Sequence, residues 1–139
     1  MISYSAKIKK DKDGYYLVSF PDLEGCLTYG ESIEEAKEMA REALSGWLAA
    51  SCDMKLAIPD PKVRSGKDLY KITAPIQIVL PIYLRKLRKR KRWTQSQVAK
   101  KLGISQQAYA KYESPKYSHT LEQIQKILDN LPIFFEISI

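Results

Sequence analysis

The chain is poor in the residues from which metal centres and catalytic dyads are made. Its 139 residues include two cysteines and one histidine, too few for a four-ligand zinc site within one chain. Cys26 and Cys52 stand too far apart for a CxxC pair. No metal and no cofactor is expected, and both thiols are read as small buried apolar groups. His119 stands alone in a polar run, and neither a GxSxG motif nor a phosphate-cradling glycine loop occurs. Long hydrophobic runs are missing as well. The longest, Ile78 to Leu84, contains Pro81 and Tyr83 and falls far short of the ~20 residues that cross a bilayer. The stretch Met1 to Lys10 alternates apolar and polar residues and lacks the apolar centre of a secretory signal. The expectation is a cytoplasmic protein with no membrane partner.

Acidic residues are scarce in one half only. The whole chain carries 23 Lys+Arg against 16 Asp+Glu, a formal net charge of +7. Residues 1–75 hold 11 basic and 12 acidic groups, whereas residues 76–139 hold 12 and 4, so the halves are −1 and +8. Such asymmetry points to a nucleic-acid-binding half joined to a half with another task. Two small domains fit the length, each with a thin core.

In the first half, Ile2, Tyr4, Ala6 and Ile8 recur every second residue, as do Tyr16, Val18 and Phe20. The polar turn Lys10 to Gly14 between them predicts a hairpin. Cys26 to Tyr29 fits a third strand closed by Gly30. The period then changes. Ser32 and Glu35 are spaced as a capping box, and Ile33, Ala36, Ala40, Ala43, Leu44, Trp47 and Leu48 follow helical spacing with Glu34, Glu38, Arg41 and Glu42 facing water. Pro59, Pro61 and Gly66 break the pattern, and Ile72, Ala74, Ile76, Ile78 and Leu80 predict a strand over Leu69 to Leu80. The order is β-β-β-α-β.

The run from Gly14-Tyr15-Tyr16 through Phe20-Pro21-Asp22-Leu23-Glu24-Gly25-Cys26, with Thr28, Gly30-Glu31-Ser32 and Glu35-Ala36, resembles the N-terminal domain of HicB antitoxins. The resemblance covers roughly the first 75 residues. It implies a partial RNase H-like fold that binds and blocks the HicA toxin, a small basic RNase. Asp22, Glu24, Glu31, Glu34, Glu38 and Glu42 can complement such a surface, raising the association rate more than the final affinity. Enzyme activity is not expected. An RNase H-like nuclease needs carboxylates converging on two metal ions, and the strands Ile2 to Ile8, Tyr15 to Phe20 and Cys26 to Tyr29 carry no Asp or Glu.

The second half reads as helical from Pro81, and seven of the eight positions from Arg85 to Arg92 are basic. Thr94 and Gln97 form a second capping box, Gly103 is placed to end that helix, and Ser105 can cap another from Gln106 to Glu113. Two short helices joined by Gly103-Ile104-Ser105 make a helix-turn-helix, with Ala99 at the crossing and Val98, Leu102, Ile104, Tyr109 and Tyr112 for its core. Residues 82–131 resemble the XRE or phage-repressor family through Trp93 to Glu113 and the helix from Leu121. That resemblance implies contacts to double-stranded operator DNA from Gln95, Ser105, Gln106, Gln107 and Lys111. It also implies a structural salt bridge between Arg88 and Glu113. Arg85, Lys89, Arg90, Lys91 and Arg92 would add sequence-independent attraction.

Thr120 caps a last helix whose Leu121, Ile124, Ile127, Leu128 and Leu131 are read as core. After Pro132, the alternation of Ile133, Phe135, Ile137 and Ile139 predicts a terminal strand. Its exposure would invite aggregation, so Phe135, Ile137 and Ile139 are expected to pair with Leu69 to Leu80 or with a second subunit in a homodimer, a tetramer being left open. The fold class is therefore α+β: an N-terminal partial RNase H-like domain over residues 1–75, and a C-terminal all-α helix-turn-helix domain with a terminal strand over residues 76–139. The function expected is that of an antitoxin which inhibits a HicA-type RNase and autorepresses its operon. The alternative is a helix-turn-helix transcription regulator with an N-terminal ligand-sensing domain.

Overall fold

The computed structural model of the chain describes Ser3–Leu131. Two compact units meet in sequence between Pro75 and Ile76. In the first, β1 (Ser3–Lys10), β2 (Tyr16–Ser19), β3 (Leu27–Gly30) and, after α1 (Ile33–Asp53), β4 (Leu69–Thr73) build one sheet in the order β3-β2-β1-β4. All its pairings are antiparallel. The β1–β2 turn is held by Asp11, whose carboxylate accepts the amides of Asp13 and Tyr15, both at 2.9 Å, while Gly14 takes a φ of +92°.

Because side chains alternate along a strand, the register that pairs Ile8 with Val18 and Tyr4 with Ile72 collects Tyr4, Ala6, Ile8, Val18 and Ile72 on one face. All five are buried. That face receives α1, whose Ala36, Ala40, Leu44 and Leu48 recur every fourth residue and are buried too. The Ser32 hydroxyl caps α1 by accepting the Glu35 amide at 3.0 Å. The chain turns so tightly from β3 into α1 that a Cβ at Gly30 would lie 2.5 Å from the Ala36 nitrogen. Both cysteines are free and buried.

Between α1 and β4 the chain runs back as a strap. Ile58 is buried in it, and the Tyr4 hydroxyl donates to the Pro59 carbonyl. Further on, Asp22 accepts the Lys62 amide at 3.1 Å and the Arg64 guanidinium at 2.8 Å. Its side chain is only 3% exposed. The hydrogen bond from Arg64, helped by the Lys62 amide, holds the Asp22 carboxyl below its ordinary value against the opposing effect of desolvation.

The second unit is helical: α2 (Ile76–Arg90), α3 (Gln95–Leu102), α4 (Gln106–Tyr112) and α5 (Leu121–Asn130). Here the expected strand from Leu69 to Leu80 is corrected. β4 stops at Thr73 and α2 starts at Ile76, five residues before Pro81, which lies inside it. The apolar residues that alternate up to Pro75 also satisfy a helical period beyond it. Val79, Leu80, Leu84 and Leu87 are spaced at i, i+1, i+5 and i+8, and all are buried. A proline just before the first helical residue suits a helix start. One core joins Leu80, Leu84 and Leu87 to Val98, Ala99, Leu102, Tyr109, Tyr112 and Ile127. Leu121, expected within it, is 84% exposed at the first position of α5. The terminal strand with Phe135, Ile137 and Ile139 lies outside the described residues.

Two outcomes follow for the first unit. Gly30→Ala forces backbone against backbone and should cost about 1–3 kcal/mol or more, read as a lower midpoint in urea. Asp22→Asn should lower the melting temperature at pH 7. A carboxyl held below its unfolded value stabilises above that value and loses the contribution as the pH falls through the native one. The gap in melting temperature between wild type and variant should therefore begin to narrow below about pH 4 and close only as the pH falls through the lower native value; equal values at pH 7 would show that Asp22 does not hold the strap.

Candidate functional site

The residues expected to meet DNA cluster around α3 and α4. α3 opens with a full capping box: the Thr94 hydroxyl accepts the Gln97 amide at 3.1 Å while the Gln97 side chain accepts the Thr94 amide at 2.8 Å. Gly103 closes α3 in the left-handed conformation, with φ +67°. Ile104 bridges to Ser105, whose hydroxyl caps α4 by accepting the Ala108 amide at 3.1 Å. Ser105 is thus engaged with its own helix, although it stays exposed.

One carboxylate connects three of the helices. Arg88, from the last turn of α2, donates to Glu113 through Nε at 2.7 Å and Nη2 at 3.0 Å, and its Nη1 reaches the Trp93 carbonyl at 3.2 Å. Gln95, the first residue of α3, donates Nε2 to the same carboxylate at 3.4 Å. Its Oε1 in turn accepts Nε2 of Gln106, the first residue of α4, at 3.1 Å. The Glu113 side chain is 5% exposed. Burial first, and then its hydrogen bond to Glu113, push the hydroxyl of the fully buried Tyr109 far above its ordinary value. The pair with Glu113 likewise raises Arg88, against some desolvation.

The structure therefore draws Arg88, Glu113, Gln95 and Gln106 into one polar chain that runs from buried to exposed. Gln107 and Lys111 stand on the solvent side of α4, with the Lys111 ammonium 5.5 Å from the Tyr117 ring centre. Lys89, Arg90 and Arg92 are exposed at the end of α2 and just beyond it. Arg85 is not part of that solvated run. It is buried at 8% exposure, because its position three residues after Ile82 puts it on the inner face of α2. Trp93, to which no sequence pattern gives a role, carries Lys101 at 4.8 Å over its ring and packs on the core.

In the first unit the acidic residues divide into two sets. Glu24, Glu31, Glu34, Glu38 and Glu42 are exposed, and Glu34, Glu38 and Glu42 recur every fourth residue as a ridge on α1. Asp22 is withdrawn from that set by Arg64 and the Lys62 amide. Its partners lie some forty residues away in sequence, a distance over which no local pattern gives a signal. Sequence reasoning also passes over the face of the sheet opposite α1, where Leu17, Leu27 and Tyr29 stand exposed. The available sign is the apolar character of both alternating sets, Leu17 and Tyr29 as well as Tyr16 and Val18.

A profile of HicB-like antitoxins of bacterial toxin-antitoxin systems matches residues 4–124. Antitoxin HicB 1 of Photorhabdus laumondii is 25% identical over 126 residues, which cover 89% of this chain and 78% of that protein. Antitoxin HicB of Escherichia coli K12 is 25% identical over 122 residues, 88% of each chain. The crystal structure of Burkholderia pseudomallei antitoxin HicB aligns with a TM-score of 0.49 at 16% identity, covering 74% of this chain and 96% of that one. With the profile spanning most of both units, the chain belongs to the HicB-like antitoxin family of bacterial toxin-antitoxin systems.

Proposed function

We propose that this antitoxin binds and blocks a HicA-type RNase toxin through its N-terminal unit and represses its own operon through an XRE-type helix-turn-helix in its C-terminal unit. The observation that carries the reading is the reach of the family match across both units, which joins the acidic ridge of α1 and the braced glutamines of α3 and α4 in one antitoxin. Inhibition is steric. The N-terminal unit, a partial RNase H-like fold in this reading, covers the toxin's catalytic surface, and the ridge of Glu34, Glu38 and Glu42 steers a basic partner onto it.

The polar chain supports the DNA half of the reading. Gln106 gives one amide proton to Gln95 and keeps a second N–H together with its carbonyl oxygen. Those two groups are what adenine's N7 acceptor and N6 donor require in the major groove. Gln95, held by Glu113, fixes the plane of that amide, so α4 acts as the recognition helix with its reading group already oriented. Gln107 and Lys111 lie on the same exposed surface, and Lys89, Arg90 and Arg92 supply the charge that meets phosphate. A homodimer closed by the terminal segment with Phe135, Ile137 and Ile139 would set two such helices about one DNA turn apart on a palindromic operator.

On the toxin side, adding the full chain to purified toxin should abolish RNA cleavage at near-equimolar ratio, and undiminished cleavage with both proteins folded would refute the inhibitory role. Reversing Glu34, Glu38 and Glu42 to lysine should slow association in stopped-flow mixing far more than it speeds dissociation. On the DNA side, Gln106→Ala should cost about 1–3 kcal/mol on the operator and little on random sequence. Equal losses on both would move the recognition surface elsewhere. Neutralising Lys89, Arg90 and Arg92 together should weaken both classes of site alike and flatten the log–log salt dependence by about 0.9 for each phosphate left without a cation.

A further inference from the structure

The face of the sheet turned away from α1 is basic and aromatic at once. Alternation along the strands puts Lys7 and Lys9 of β1, Leu17 and Ser19 of β2, Leu27 and Tyr29 of β3, and Lys71 of β4 on that face. Leu27 is 67% exposed, Tyr29 58% and Leu17 50%, and the three lysines are exposed as well. Tyr15, just before β2, meets the Tyr29 ring edge-on at 5.7 Å, an arrangement that covers one ring face of the pair and leaves the others bare. β3 ends the sheet and, among the described residues, pairs only with β2.

The register orders these side chains. Across the sheet, Leu27, Ser19 and Lys7 form one row and Tyr29, Leu17 and Lys9 the next, with neighbours ~4.8 Å apart and the rows about 7 Å apart. Apolar and aromatic groups therefore hold the β3 side, lysines hold the β1 side, and the Ser19 hydroxyl lies between them. Lys71, opposite Ser5 in the row beyond Lys7, extends the basic half. Charge within the strands is of one sign: they carry Lys7, Lys9, Lys10 and Lys71 and neither aspartate nor glutamate. The acids nearest in sequence lie past the strand ends. Asp11 and Asp13 stand in the hairpin turn, where two backbone amides take the Asp11 carboxylate; Glu24 and Glu31 flank β3, and Asp68 precedes β4.

We propose that this open face binds single-stranded RNA, with bases against Tyr15, Tyr29, Leu17 and Leu27 and phosphates on Lys7, Lys9 and Lys71. A single strand is held where aromatic side chains offer a stacking surface beside a basic track for the backbone, and an open four-stranded sheet bearing aromatics supplies both. Base, sugar and phosphate follow one another in a nucleotide, and each row presents the matching order from β3 to β1. Two rows accept two successive nucleotides, because the ~7 Å between Lys7 and Lys9 is close to the phosphate step of an extended strand. The Ser19 hydroxyl falls at the ribose, whose 2′-hydroxyl distinguishes RNA from DNA. A duplex keeps its bases stacked inside and would leave the aromatic half of the face without a partner. A second copy set face to face, or a basic protein, would bring cations against the lysines. Neither the glutamates of α1 nor the glutamines of α3 and α4 take part, so RNA binding here stands apart from the toxin and operator readings.

Nuclear magnetic resonance on the full chain tests it residue by residue. Lys89, Arg90 and Arg92 are first changed to glutamine, which removes competing attraction at the helical unit. An unstructured RNA of about eight nucleotides, made of A and U, should then shift the amide resonances of Lys7, Leu17, Ser19 and Tyr29, and the deoxy oligomer of the same sequence should shift them less at equal concentration. Tyr29→Ser should weaken the RNA about fivefold to a hundredfold, whereas Tyr29→Phe, which keeps the ring, should bind as the parent does. Lys7→Gln with Lys9→Gln should flatten the log–log salt dependence by about 1.4, at ~0.7 for each phosphate left without a cation. Unchanged resonances of the buried Ala40 and Leu44 verify that each variant is folded. Shifts confined to α3 and α4, or equal shifts from the deoxy oligomer, overturn the proposal. Stronger shifts of the same residues by a polyglutamate peptide or by phosphatidylglycerol vesicles overturn it too, and give the face to an acidic protein or to a membrane.

Discussion

Glu113 is a carboxylate placed where its charge is least welcome, at the C-terminal end of α4, where the last carbonyls already present negative potential, and nearly out of contact with water. It is stable there because α2 sends Arg88, α3 sends Gln95 and α4 sends Tyr109 to meet it. An isolated charge in such a position costs about 3 kcal/mol or more, a large part of the stability of so small a unit. Apolar contacts among Ala99, Leu102 and Tyr109 are non-directional and would tolerate a shift of one helix along another. The two-pronged ion pair does not. It fixes the crossing of α3 and α4, and through Gln95 it fixes the amide plane of Gln106 at the surface.

A second carboxylate plays a comparable part in the N-terminal unit by a different route. Asp22 lies in the connection between β2 and β3, and it gathers the Lys62 amide and the Arg64 guanidinium from the strap that follows α1. A long connection without regular structure, containing Pro59 and Pro61, is thereby tied down at the Pro59 carbonyl and at Asp22. Arg64 keeps substantial solvent contact, so screening reduces what the charge contributes, and the directional hydrogen bonds matter more than the Coulomb attraction. The acid that sequence groups with the partner-facing set is an internal fastener, while the glutamates of α1 remain available.

What sequence reveals follows the range of the interaction. The hairpin turn at Asp11 and the caps at Ser32, Thr94, Ser105 and Thr120 depend on groups within four residues of one another, and each is legible as a local pattern. The stretch around Pro75 misleads because the apolar spacing from Ile72 to Leu80 satisfies two periods at once, and only burial of Leu80 in one core with Val98, Tyr109 and Ile127 selects the helix. Arg85 looks like surface because a run of basic residues hides the helical period beneath it. The partner of Asp22 and the bareness of the β3 edge depend on which strands lie side by side, and a single sequence does not state that. For the candidate site, the positions of Gln95, Gln106, Arg88 and Glu113 are readable from family resemblance, but their linkage into one chain of hydrogen bonds is not.

The negative charge of the N-terminal unit is laid out along α1 itself. Lys37 marks the flank turned toward β4, and Glu34 and Glu38 lie on that same side by helical spacing. Trp47 marks the opposite flank, where Ala43, Gly46 and Ala50 border the open edge of β3. Glu42, which closes the acidic ridge, is exposed four residues before Gly46 and so borders that flank, and the acidic surface therefore runs from the β4 side of α1 across its outer face toward β3, within reach of a partner approaching from either side.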